Sequence, residues 1–445
     1  MMKLPVELMK IKLKNFLRRL ISVIPAFEYI VRLTILYVYI YITVVKNESR
    51  SNKFSGLNIL IVNHHFDQDI RAIADANKVH RIKVVDHRKL FGLANCFFTP
   101  AERDGSVPYD KPKIKARLNY RKQAKRIISL VRRYFPFDVM VTPSDSFFWI
   151  REVIYELKEM KIPTIVVDKE GTISPHSLRI HSLEVKERFP FISDKILVWS
   201  ERQKEFWIRC GVEEKSIEVV GQPRSDFFFK KDKWKTKEEL GLSNERRVVL
   251  FFTYDSGAYI PPELFRGGFN WTEMRTETHQ VIKKLAQEYP EIDFVVKIHP
   301  QQRDVSSILN DFSNAGRNIK LIRDSSISNQ LLVNSDIIIG FQTTALLEAM
   351  FLQVPILYTF WGNCVTEFAE ELIPFHKTGG VEIVRSADEL RKKIKYYIDA
   401  QAPVIAPYAR ENADKFIKDY FYMPNGHAGE RTLRAVEEFF VTSNE

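Results

Sequence analysis

From residue 57 onward, short apolar runs alternate with amphipathic segments of helical length, the pattern of parallel strands covered on both faces by helices. Residues 58–63 (NILIVN), 81–86 (RIKVVD), 139–142 (VMVT), 164–168 (TIVVD), 195–200 (KILVWS) and 216–221 (SIEVVG) are the predicted strands of a first domain. Helices predicted between them include residues 150–160 and 201–210. A charged stretch, residues 230–247, breaks the alternation and carries a short predicted helix ending at Gly241, which marks an inter-domain connection. The pattern then restarts. Residues 247–254 (RVVLFFTY), 293–298 (DFVVKI), 319–323 (IKLIR), 336–340 (DIIIG) and 355–358 (PILY) read as strands, with helices over 279–288, 328–333 and 344–352. The last segment, 412–440, reads as helical with a break at Pro424 to Gly426. The expectation is an α/β protein of two Rossmann-like parallel-sheet domains facing a cleft. They are residues 57–229 and 247–411, joined by 230–246, with residues 412–445 able to cross back to the first domain.

Composition fits that plan: 445 residues exceed what one core usually serves, and 45% hydrophobic with 28% charged residues describe a globular chain. No short repeat period is present, which excludes solenoids and propellers. The net charge of +11 asks for an acidic partner: nucleic acid, anionic lipid or a phosphorylated small molecule. No nucleic-acid module is visible, so a non-enzymatic nucleic-acid or anionic-surface binder is the weakest of the readings and no nucleic-acid partner is expected. Cys96, Cys210 and Cys364 are scattered, which suggests neither a zinc framework nor disulfides and fits a reducing, cytoplasmic setting.

The N-terminal segment, residues 1–56, departs from the rest. Lys10, Lys12, Lys14, Arg18 and Arg19 precede an apolar stretch over residues 23–45, interrupted by Glu28 and Arg32. The uncharged run 33–45 is shorter than the roughly 20 residues of a spanning helix, so a tilted or interfacial anchor on an anionic membrane surface is expected. A helix packed on the domain is the alternative.

Ligands of open parallel sheets bind beyond the carboxyl ends of the strands, and polar clusters fall there. At the start of the helix after residue 340, Gly340, Gln342, Thr343 and Thr344 offer backbone N–H groups and hydroxyls to a phosphate. Glu348, one turn on, is expected to face solvent and ligand, where it would accept from sugar or ribose hydroxyls; plain N-capping is the alternative. Lys297 and His299 share one face of a strand that Pro300 stops, where cations would meet the diphosphate or carboxylate of a donor; a basic strand end capping a solvent-exposed loop is the alternative for Lys297. Glu170, in a loop expected to be mobile through Gly171, and Asp255, after the strand ending at Tyr254, are acids placed for proton work. An Asx-turn is the plainer reading of Asp255. Asp67, Gln68 and Asp69 spell D-x-D beside His64 and His65, which invites a metal; helix capping by Asp67 is an alternative and no metal is expected. Arg224 sits at the junction, either paired with Asp226 or another acid, or facing the cleft.

The ordered series VVDKEG, KILVWSERQKEF, VVGQPRSDF, VKIHP and SDIIIGFQTTALLEAMFLQVPILY resembles GT-B proteins of surface-polysaccharide and capsule biosynthesis. It is similar to surface-carbohydrate biosynthesis proteins, capsule-type Kdo transferases and CDP-glycerol glycerophosphotransferases. The resemblance covers about residues 57–440 and is strongest from 165 to 360. It implies a metal-independent glycosyltransferase that moves a sugar from a nucleotide-activated donor, with CMP-Kdo as one candidate, to a saccharide or lipid-linked acceptor. The alternative is a CDP-glycerol-type glycerophosphotransferase. By the same resemblance Glu170 is acid or base, Asp255 the nucleophile, His299 a contact to donor phosphate or sugar, and His65 or Asp67 an acceptor-side base. It implies no cofactor beyond the donor, and it agrees with a location on the cytoplasmic face of the inner (plasma) membrane.

Overall fold

The computed structural model describes residues 56–99, 114–258, 260, 264–265, 267–299, 302–400 and 407–444. The expected membrane-associating segment, Gly56 apart, and Pro300 lie outside the described residues. Among the described residues no helix is long and apolar enough to cross a membrane.

β1 (Asn58–Asn63), β2 (Arg81–Asp86), β3 (Val139–Thr142), β4 (Thr164–Val167), β5 (Lys195–Val198) and β6 (Ile217–Val219) form one sheet in the order β2-β1-β3-β4-β5-β6. β7 (Val248–Phe252), β8 (Asp293–Lys297), β9 (Ile319–Ile322), β10 (Ile337–Gly340), β11 (Ile356–Thr359) and β12 (Glu382–Val384) form the other, in the order β12-β11-β10-β7-β8-β9. Every pairing in both sheets is parallel. The apolar runs dictate this, because helices cover both faces and every residue of β3, β4, β7, β8, β10 and β11 is buried.

Each sheet reverses its direction of growth once, between β1 and β3 in the first and between β7 and β10 in the second. Loops that leave neighbouring strands to opposite faces open a crevice at such a point. The two crevices place the chain after β1, after β7 and after β10 around one cleft.

The C-terminal helix Ala428–Asn444 lies on the first domain, where Leu433, Ala435 and Val436 join the core of Ile59, Ile61, Ile70 and Ile73. Asp226 fixes its start: the carboxylate accepts from Ala428 N at 2.9 Å and Gly429 N at 2.8 Å, satisfying two N–H groups that a helix start leaves unpaired. Asp226 is therefore a cap and not the partner of Arg224. Just before this helix, Tyr422 N donates to Trp199 O at 2.8 Å and Phe421 stacks on the Trp199 ring, tying the segment to the end of β5.

Candidate active site

The inter-domain cleft has a volume of about 240 Å³ and draws its walls from both crevices. His65, Asp67, Asp69, Lys169, Glu170 and Arg224 line it from the first domain, and Lys297, His299, Thr343, Thr344 and Glu348 from the second.

On the second-domain side, Lys297 ends β8 only 2% exposed. Its Nζ donates to the Ile298 carbonyl at 2.9 Å, and among the described residues no carboxylate forms an ion pair with it. Burial lowers its pKa to about 8, against the opposing pull of Asp324. His299 follows at the cleft mouth, solvent-exposed. Surrounding protein and then Lys297 hold its imidazole below the ordinary value, while Glu170 and Asp255 act the other way. Thr253, just past β7, also lines the cleft and lies 3.1 Å from His279 Nε2, while His279 Nδ1 lies 2.7 Å from Asp311. A carboxylate accepts only, so this network assigns the imidazole proton to Nδ1 and makes Thr253 Oγ1 the donor to Nε2.

The helix Thr344–Ala349 begins where expected, and Thr343 caps it by accepting from Ala345 N at 3.3 Å. Two residues of this turn depart from expectation. Gln342 has φ +45° and its side chain points into the second-domain core, bonding Tyr358 Oη at 2.8 Å and both backbone groups of Ile373. It fixes the turn from behind and offers the cleft no side chain. Gly340 is not part of the lining; a Cβ there would lie 3.1 Å from Leu346 and 3.3 Å from Thr343, so the glycine lets the strand end meet the helix closely.

Glu348 also differs from the solvent-facing acid expected. It is 4% exposed and accepts from Arg224 Nε at 2.8 Å across the domain boundary. Arg224 reaches Asp69 as well: its backbone N donates to Oδ1 at 3.1 Å, and Nη1 lies 3.6 Å from Oδ2. The guanidinium lies over the Trp199 ring at 4.8 Å. Gln222, with its amide turned to present oxygen, accepts from Arg224 Nη2 at 3.0 Å. Burial pushes the Asp69 carboxyl up to about 6 against the attraction of Arg224.

Glu170 projects into the cleft with its side chain 75% exposed, 3.7 Å from Lys169 Nζ. Its loop is held, not mobile. Asp168 Oδ1 accepts from Glu170 N at 3.1 Å and Oδ2 from Trp207 Nε1 at 2.7 Å, while Trp199 Nε1 donates to the Asp168 carbonyl at 2.7 Å. Gly171 is needed because the Trp199 indole lies against it: a Cβ would come within 2.0 Å of the ring. Asp255 does not line the cleft. It closes an Asx-turn onto Gly257 N at 3.0 Å and accepts from Arg303 N at 3.3 Å. On the first-domain side, Asp67 accepts from Asn63 Nδ2 at 2.8 Å, and His65 stands exposed with φ +52°.

Polar lining residues absent from the expected set include Lys169, Asp69, Thr253, Ser326, Ser328 and Asn329. The last three follow β9, so the strand-end rule applied to residues 324–329 would have found them.

Residues 180–438, more than half of the chain, match the family model described as CDP-Glycerol:Poly(glycerophosphate) glycerophosphotransferase. The chain belongs to that family. Among solved structures, UDP-GlcNAc 2-epimerase from Neisseria meningitidis bound to UDP-GlcNAc is 14% identical with a TM-score of 0.51, covering 86% of this chain and 100% of that one. The S. aureus MnaA structure with UDP is 13% identical with a TM-score of 0.52, covering 88% and 98%. At such identity the likeness concerns the fold, which is that of GT-B proteins. No curated protein matches the chain. The glycerophosphotransferase-family match and the two facing Rossmann-like domains together make the protein a GT-B-type surface-polysaccharide protein and a transferase of nucleotide-linked donors.

Proposed function

We propose that the protein transfers glycerol phosphate from CDP-glycerol to a hydroxyl of a surface-polymer acceptor. The observation that carries this reading is the buried Lys297, which forms no ion pair with a carboxylate among the described residues, beside His299 in the cleft of a chain of the CDP-glycerol family. The acceptor oxygen would form a bond to the phosphorus that carries glycerol, the bond from that phosphorus to the bridging oxygen would break, and CMP would leave with the electron pair. The acceptor proton would pass to a first-domain base, His65, Asp67 or Glu170. Lys297 and Lys169 supply positive charge where the leaving group gains negative charge, a role that divalent cations fill elsewhere, so the chemistry is read as metal-independent.

Sugar transfer from a donor such as CMP-Kdo is the second reading. It keeps Glu170 as acid or base but requires Asp255 to release Gly257 and Arg303 before acting as nucleophile. Incubating the chain with CDP-glycerol, CMP-Kdo and UDP- or GDP-linked sugars separates the two. CDP-glycerol is expected to raise the melting temperature most and to leave an acceptor heavier by one glycerol phosphate. Stabilisation by a sugar donor alone, with glycosylated product, would overturn the first reading.

The basic and apolar residues 1–46 are proposed to hold the enzyme on the cytoplasmic face of the membrane, close to a lipid-linked acceptor. Deleting them is expected to move the folded protein to the soluble fraction, whereas high salt alone releases little of the intact chain. Loss of folding on deletion would instead make the segment part of the domain.

A further inference from the structure

Among the described residues one cluster carries the donor set of a transition-metal site: His64, His65 and His87. β1 and β2 are paired neighbours, so the residues leaving β1 and the residue that opens the helix after β2 come together at one end of the sheet. One ligand nitrogen from each ring lies within 4.8 Å of the others. The ring centroids stand 4.1 Å apart for His64 and His87, and 4.8 Å apart for His64 and His65.

Two details point to a ligand rather than to packing alone. His87 Nδ1 lies 3.0 Å from the Asn63 carbonyl, which can only accept, so Nδ1 carries the proton and Nε2 keeps its lone pair. Metal-binding imidazoles are held in this way, by a carbonyl on the other ring nitrogen. His64 Nδ1 is buried with no hydrogen-bond partner.

We propose that His64, His65 and His87 bind one borderline divalent transition-metal ion of the Zn2+ or Co2+ class, with the remaining position open to water. Tetrahedral bonds of about 2.05 Å bring ligand nitrogens to about 3.3 Å, so the rings draw inward on binding, and the exposed His65 supplies most of that movement. The Lys169 ammonium, bonded to the His64 carbonyl at 3.4 Å, opposes the ion. Asp86, 3.5 Å from His87 Nδ1, and Asp67 oppose Lys169. The ion takes no part in the transfer. By capturing the His65 ring it removes a first-domain base and inhibits, a consequence that rests on the proposed function, whereas occupancy does not.

The test titrates the full, tag-free chain with Co2+, reading visible d–d absorption, and then with Zn2+ as competitor. One equivalent of Co2+ with tetrahedral bands is expected, displaced by Zn2+. His64→Ala and His87→Gln should each weaken binding more than about tenfold, a loss that even outer-shell partners can cause. Nucleotide-induced thermal stabilisation of each variant shows that it is folded. Absence of the bands, or bands unchanged in folded His87→Gln, overturns the site and leaves the transferase reading untouched. Stoichiometric Zn2+ that binds without slowing transfer overturns the inhibitory role.

Discussion

Lys297 gives the residue scale its sharpest consequence. The pKa of this buried cation is lowered to about 8, so its charge is present below that pH and lost as pH rises through it. Affinity for the anionic donor is therefore expected to fall above about pH 8, with the midpoint moved upward by the bound diphosphate itself. A hydrogen bond to a charged group contributes about 1.5–3 kcal/mol, so Lys297→Gln should weaken donor binding about 10- to 100-fold at pH 7 and flatten that pH profile. Calorimetric titration of CDP-glycerol from pH 6 to 9.5 checks both, and a sloping profile in the variant would assign the effect to His299 or another group. That Lys297 and His299 stand together where β8 ends was legible in the sequence; that Lys297 is buried there and, among the described residues, forms no ion pair with a carboxylate was not. Whether Asp324 stops short of it depends on how β8 and β9 are set side by side.

At the scale of elements, the continuous apolar runs made strands readable, and β1, β2 and β3 have the bounds their hydrophobic pattern predicts. β12 and the helix Ala387–Asp399 were not read, because β12 is only three residues, two of them half-buried, at a sheet edge where the core asks for little apolar character. The loop after β4 shows the other limit. Gly171 reads locally as a flexible residue, yet Trp199, from the end of β5, fills the space where its side chain would be. Gly171→Ala should push the indole or the loop aside, an overpacking cost of about 1–3 kcal/mol, and turn Glu170 away from the cleft. The expected signature is a fall in turnover with donor affinity kept and an altered tryptophan emission. Unchanged turnover would remove either the loop's rigidity or Glu170 itself from the chemistry. Gln342 failed as a cleft-facing side chain, and Glu348 lines the cleft tied to Arg224 instead of facing solvent, for a related reason: helix starts are visible in sequence, while the direction of each side chain around the turn is set by what packs behind it.

At the scale of the molecule, two arginine–glutamate pairs among the described residues join the domains, and their burial predicts different consequences. Arg179 and Glu371 meet near the surface, where the arginine side chain is 62% exposed, with His176 Nδ1 3.3 Å from the same carboxylate. Such a pair contributes about 0–1 kcal/mol. Arg224 lies deep, its side chain 15% exposed against 6% for Glu348 and 2% for Asp69. Removing it leaves two carboxylates buried without their cation, at a cost of about 3–5 kcal/mol. Part of that cost is avoided if the domains part and admit water, so Arg224→Ala is expected both to lower stability by several-fold more than Arg179→Ala and to open the cleft. Urea unfolding reads the first and small-angle scattering the second. Glu348→Gln added to Arg224→Ala removes one stranded charge and should recover part of the lost stability, which a pair acting independently would not do. Equal effects of Arg224→Ala and Arg179→Ala, with the cleft unchanged, would show that the deep triad does not hold the domains together. It would then be free to act on substrate alone.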